Sequence, residues 1–133
     1  MSSNDDQIAR AECHFGVRLP EDYRHFLSTE GSMAQFVPLA DDFLMINAIT
    51  ELIEVNEAGD FQERFPRSVV IGGDGSREML TYDFRQEPPS LVLLDVSAQD
   101  WSSAIHQATS FSALLDQFPE TGWRWDDSEP SPS

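Results

Sequence analysis

Lysine is absent from the 133 residues, and cysteine occurs once. The first absence removes a P-loop lysine, a Schiff-base lysine and any lysine-rich phosphate patch. The second removes an internal disulfide, because Cys13 has no second thiol to meet. No apolar run approaches the ~20 residues needed to cross a bilayer. The N-terminal MSSNDDQ also lacks the basic start and apolar middle of a secretory signal. A cytoplasmic protein without a membrane partner is expected. Basic charge is scarce as well: eight arginines face 24 acids, for a formal net charge of −16. Such a field repels nucleic-acid phosphates and favours a cationic protein partner over direct nucleic-acid binding.

The length suits one domain with a real core, monomeric by default. Its most informative stretch is GVRLPEDYRHFLSTEG, from Gly16 to Gly31. Pro20 has a fixed φ and no N–H to lose, so it fits the first position of a helix with Leu19 just outside. Glu21 and Asp22 then meet the exposed N–H groups of the first turn. Leu19, Tyr23, Phe26 and Leu27 recur at helical spacing as one apolar stripe, and Gly31 closes the helix in a left-handed conformation. Upstream, Ser3 and Asp6 resemble a capping box that opens a first helix carrying Ile8, Ala9, Glu12 and Cys13, packed beside the second.

Downstream, FVPL and FLMI read as two strand-like pieces around a turn. Ile49, Leu52 and Ile53 share a face of a third helix over residues 48–58, which Gly59 stops. After Pro66 the pattern turns to strands: SVVIGG, then EMLTYDF with Leu80, Tyr82 and Phe84 on one face, then the nearly continuous SLVLLDV. GGDGSR has the chemistry of a hairpin turn, while RQEPPS makes a longer one. Ser110 caps a last helix bearing Phe111, Leu114, Leu115 and Phe118, which Pro119 and Gly122 end. The arrangement predicts a single α+β domain over residues 1–122. It has a central, largely antiparallel sheet and helices at the N-terminus, middle and C-terminus. Residues 123–133, WRWDDSEPSPS, read as an acidic Ser/Pro-rich tail.

Chemistry is harder to find. GGDGSR lacks the third glycine and the following helix of a phosphate loop, and it lacks the alternating oxygen ligands of a calcium loop. Ser76 sits in no nucleophile elbow. Cys13 and His14 are neighbours on one helix, so their side chains diverge by roughly 100°. With His25 on the next helix, the expectation is a buried inert thiol and surface histidines. The adjacent acids Asp5/Asp6, Glu21/Asp22, Asp41/Asp42 and Asp126/Asp127 fit a solvated acidic surface better than a general acid/base pair. Neither a catalytic residue, nor a metal ligand, nor a cofactor signature is nominated.

The order of elements has a second meaning. Phe15-Gly16, Leu19-Pro20-Glu21-Asp22-Tyr23, Phe26-Leu27, Glu30-Gly31, the glycine-bounded strand ending Gly72-Gly73-Asp74-Gly75, Tyr82-Asp83, the strand Val92 to Asp95 and Ser110-Phe111 with Leu114-Leu115 follow one another over about residues 5–118. This series resembles the SUKH superfamily, the domain type of fungal cell-wall-synthesis regulators and many bacterial immunity proteins. Where that family commonly shows asparagine and a double glycine after its second helix, this chain has Glu30-Gly31-Ser32.

The resemblance implies a non-catalytic immunity protein that binds and neutralises a cognate toxin, often a nuclease. A basic toxin domain is the expected partner. Two other readings stand beside it: a regulatory protein-interaction module, and a small carboxylate-dependent hydrolase. For toxin contact, charge and expected exposure select Glu30, Asp41, Asp42, Asp74 and Glu78. Trp123 and Trp125 serve either as aromatic anchors or as cover for the sheet. The structural motif is carried by Gly16, Leu19, Pro20, Tyr23, Phe26, Leu27, Gly31, Gly72, Tyr82, Asp83, Phe111 and Leu115.

Overall fold

The computed structural model describes residues 4–37, 42–58, 60–75, 77–85, 88–98 and 100–123. Helices α1 (Asn4–Phe15) and α2 (Glu21–Thr29) precede a hairpin of β1 (Met33–Val37) and β2 (Asp42–Ile46). Helix α3 (Ile49–Ala58) and the single turn α4 (Phe61–Arg64) lead into β3 (Ser68–Gly73), β4 (Glu78–Asp83) and β5 (Ser90–Asp95). A 3₁₀ turn (Trp101–Ser103), β6 (Ile105–Ala108) and α5 (Phe111–Thr121) complete the described chain. The fold is α+β: six strands form one sheet in sequential order, every neighbouring pair antiparallel.

The stretch from Gly16 to Gly31 builds this fold. Pro20 adopts φ −58° and ψ 148°, so it stands one residue outside α2 rather than at its first position, and its carbonyl accepts the Arg24 N–H at 3.0 Å. Tyr23, Phe26 and Leu27 point inward and are buried. Gly31, at φ +83°, closes the helix by donating its N–H to Phe26 O at 3.0 Å, a conformation glycine adopts without steric cost. Asp22 joins two helix starts: its carboxylate accepts the N–H of Tyr23 at 2.8 Å and that of Ser112, in the first turn of α5, at 2.9 Å. Negative charge is stabilising at such N-termini. Helix α1 packs beside both α2 and α3. Ser28 donates to Asp5 at 3.1 Å, and His14 Nε2 meets Glu57 at 3.3 Å.

The central strands are covered on both faces. Val69, Ile71, Leu80, Tyr82, Leu91 and Leu93 join the larger cluster under α1, α2, α3 and α5. The intervening Val70, Met79, Val92 and Leu94 pack with Phe61 and Phe65 on the opposite face, where Trp101 leans against them. That two-sided burial explains why these strands read as nearly continuous apolar runs. Each fully buried aliphatic or aromatic side chain contributes about 1.5–3 kcal/mol of transfer free energy. Leu115 of the motif is only partly buried at the edge of the larger cluster.

Strand β2 touches β3 only at Met45–Gly73 and Ile46–Gly72. The approach is so close that a Cβ on Gly72 would lie 2.0 Å from Met45 O. Beyond it the strands part, and the buried Asn56 of α3 takes the place of β2. Its Nδ2 donates to Val70 O at 2.9 Å, and its Oδ1 accepts from Val70 N at 2.8 Å. Gln62 continues the line, donating to Asn56 Oδ1 at 3.0 Å and to Ser68 O at 2.9 Å.

Several expectations need correction. Helix α5 runs through Pro119 to Thr121 and ends at Gly122, because a proline in the last turn forfeits only a single N–H. Helix α3 begins at Ile49, one residue later than expected. Strand β6, α4 and the 3₁₀ turn were not expected: each is four residues or fewer, too short to display a period. Cys13 is exposed rather than buried, since α1 turns it away from the Ile8 and Ala11 side that enters the core. The packed region also extends past residue 122, because Trp123 is 3% exposed, its ring 4.8 Å from that of Phe118 and its Nε1 donating to Phe43 O at 3.1 Å. Ser3, Gly59 and Ser76 lie outside the described residues.

Candidate functional site

Strand register gathers part of the acidic set at one end of the sheet. The β3–β4 turn carries Asp74 and Arg77, and β4 begins at Glu78, which pairs across the ladder with Asp95 at the end of β5. The β1–β2 hairpin ends on the same side, since Met45 pairs with Gly73 and the Phe43 ring lies 3.2 Å from where a Cβ on Gly75 would stand.

Local hydrogen bonds hold these acids in place. Asp74 N donates to Glu78 O at 3.1 Å, and Glu78 N donates to Asp74 Oδ1 at 3.1 Å. Asp95 Oδ1 accepts from Ser97 N at 2.8 Å and Ser97 Oγ at 2.7 Å, while Arg77 reaches both Asp95 oxygens at 3.3 Å. The bonds from Ser97, with Arg77 behind them, hold the Asp95 carboxyl down at about 2. Partial burial, then the charges of Asp95 and Asp74, push the Glu78 carboxyl above its ordinary value. The end of the sheet is therefore a place where carboxylates repel one another and where an incoming cation is stabilised.

The remaining candidates divide. Glu30 is exposed at the end of α2, where its N–H donates to Phe26 O, and it precedes the end of β1 that faces away from the Asp74 turn. Trp123 is enclosed by the core and is not available as an exposed anchor. Asp41 and Trp125 lie outside the described residues, as does the side chain of Asp42, whose backbone opens β2. Asp95 was missed, because only strand register puts it beside Glu78; its sequence setting is the end of an apolar strand.

A second charged element sits at the other end of β4. Asp83 accepts from Arg85 Nε at 3.0 Å, Arg85 Nη2 at 2.9 Å and Arg85 N at 3.0 Å, and the guanidinium lies 4.2 Å from the centre of the Trp101 ring. Burial raises the Asp83 carboxyl, but the side-chain and backbone bonds from Arg85 outweigh it and leave it lowered. This closed pair fastens the second core. Among the described residues, no three His, Cys, Asp or Glu side chains converge as a metal site, and no helix is long and apolar enough to cross a membrane.

Compared with known proteins, residues 3–117 match the family described as SMI1 / KNR4 (SUKH-1). No curated protein matches the chain.

Proposed function

Because the chain belongs to the SMI1 / KNR4 family (SUKH-1), we propose that it is a non-catalytic immunity protein, which binds a basic toxin domain of nuclease type and neutralises it in the cytoplasm. The observation that carries this reading is the crowding of Asp74, Glu78 and Asp95 at one end of the sheet of a chain with net charge −16. Acids held together against their mutual repulsion favour a partner that brings guanidinium or ammonium groups. A nuclease supplies them on the surface where it meets phosphate, and occupying that surface blocks it. Opposite long-range fields also raise the association rate, which suits an inhibitor that must reach its toxin first.

The test is protection. Co-expression with a toxin encoded beside this chain in its host should restore growth. Asp74→Lys with Glu78→Lys should weaken protection and slow association, with the salt dependence of association becoming flatter. Growth arrest that persists with every neighbouring toxin, together with no complex in moderate salt, would favour the regulatory-module reading.

A further inference from the structure

An antiparallel strand with one face in water ordinarily carries polar side chains on that face, and the hairpin of β1 and β2 does not. Residues paired across the ladder share a face. Met33 pairs with Ile46 and Gln35 with Leu44; Leu44 and Ile46 are buried in the larger cluster, and Met33 packs against it. The pairs Ala34–Met45 and Phe36–Phe43 therefore turn to the other side. All four are apolar. Ala34 is exposed, Phe36 is 52% exposed, and Phe43 and Met45 are half-buried. Over β3, β4 and β5 that side is covered by Phe61, Phe65 and Trp101, but no described residue of β1 or β2 enters their cluster.

This apolar strip is held firm and bordered by charge. Trp123 Nε1 donates to Phe43 O at 3.1 Å, and the Phe43 ring abuts Gly75. Gly75 follows Asp74, whose Oδ1 accepts from Glu78 N, and Glu78 pairs with Asp95. Strand β1 is also the outermost of the sheet, so its outer backbone groups have no strand beside them among the described residues. An open edge, an aromatic strip and neighbouring carboxylates together fit an extended segment that alternates apolar and cationic side chains. A second copy of this chain fits poorly, because it brings the same Asp74 turn and another net charge of −16.

We propose that the basic partner docks by adding an extended segment to the edge of β1, with apolar side chains against Phe36 and Phe43 and arginine or lysine groups in the field of the Asp74 turn. The inference rests on the toxin-binding reading for the identity of the partner, and adds where and how that partner is held.

The probe is an acetylated, amidated hexapeptide alternating arginine and valine, titrated into the full chain with backbone amide NMR signals as the readout. It should shift the signals of β1 and of the Asp74 turn, and slow hydrogen exchange at alternate amides of β1, those that point away from β2. The same peptide with glycine for valine keeps the charge and should bind at least about five-fold more weakly, because the aromatic strip then gains nothing. Phe36→Ser should weaken binding of the valine peptide about as much, with the melting midpoint nearly unchanged because the ring is exposed. Ala34→Arg should weaken it too, by placing like charge beside the added strand. Equal binding of the two peptides, unchanged affinity in Phe36→Ser, shifts confined to other parts of the chain, or no binding at millimolar peptide overturns the proposal. A dimer in sedimentation that Phe36→Ser breaks also overturns it, and gives the face to a second copy. Co-expression separates the two readings. If a toxin is neutralised by the parent chain and equally by Phe36→Ser, the docking face is overturned and the toxin reading stands. If the valine peptide binds at β1 but no neighbouring toxin is neutralised, the docking face is supported and the toxin reading fails.

Discussion

Asn56 and Val70 exchange two hydrogen bonds, at 2.9 and 2.8 Å, in the manner of paired residues on adjacent strands. A side-chain amide thus continues the ladder where β2 has turned away. Asn56→Ala leaves both Val70 backbone groups unpaired in a buried setting, at about 1–3 kcal/mol for each stranded group. Denaturant unfolding should show a loss of about 2–4 kcal/mol, and the Val70 amide should exchange hydrogen far faster. A loss below about 1 kcal/mol would mean that water takes over the role.

Gly72 is the corresponding point of closest approach. A methyl group there meets Met45 O at 2.0 Å, a backbone atom that moves only if β2 moves. Gly72→Ala should cost about 3 kcal/mol or more, at the upper end of overpacking effects. Chemical shifts of β1 and β2 should move with it while those of β5 stay put.

At the acidic end, Glu78 and Asp95 act on stability with opposite signs. Glu78 holds its proton more tightly when folded, so its contribution is fully present below its ordinary value of 4.5 and is lost as pH rises through the higher folded value. Asp95 is held down to about 2, so its contribution is present above the ordinary 3.8 and lost as pH falls toward 2. Glu78→Gln should therefore stabilise the fold at pH 7, by no more than about 1 kcal/mol, with little effect at pH 4. Thermal melts of both proteins across that range decide it, and a destabilised Glu78→Gln at pH 7 would contradict the assignment.

Asp22 is expected to matter for the union of α2 and α5. Asp22→Ala strands the Ser112 and Tyr23 amides at two helix N-termini and should cost about 1–2 kcal/mol, in the range of lost N-caps. Helix content should fall little, since each helix keeps its apolar face. The change belongs in the denaturation midpoint.

Much of this fold was legible because its longer elements carry a period and its ends carry caps. The stripe of Tyr23, Phe26 and Leu27, the glycine at 31, the strands from Ser68 to Asp95 and the Ser110 cap all read correctly from local chemistry. What escaped has no such signal. Strand β6 exists because Leu91, Val92 and Leu93 offer it an edge, and its residues Ile105–Ala108 alternate too briefly to announce a strand. The exposure of Cys13 depends on which way α1 rolls over its neighbours. Of the acidic site, the turn holding Asp74 and Glu78 was readable, whereas the neighbourhood of Asp95 required the pairing of β4 with β5. For Trp123 the sequence left anchor and cover both open, because the choice depends on a carbonyl eighty positions away.

Each strand of the sheet lies beside the strand made just before it, so the ladder needs no long crossover and can be assembled in the order of synthesis. The helical layer is different. Residues 22 and 112 are ninety positions apart, and α5, which fills the larger core with Phe111, Leu114 and Phe118, is made last. Until it leaves the ribosome, the nascent chain carries the sheet with α1, α2 and α3 on that side and only the part that α5 covers left bare. Arrested chains cut before Phe111 should therefore recruit chaperones, whereas chains long enough to dock the final helix should release them.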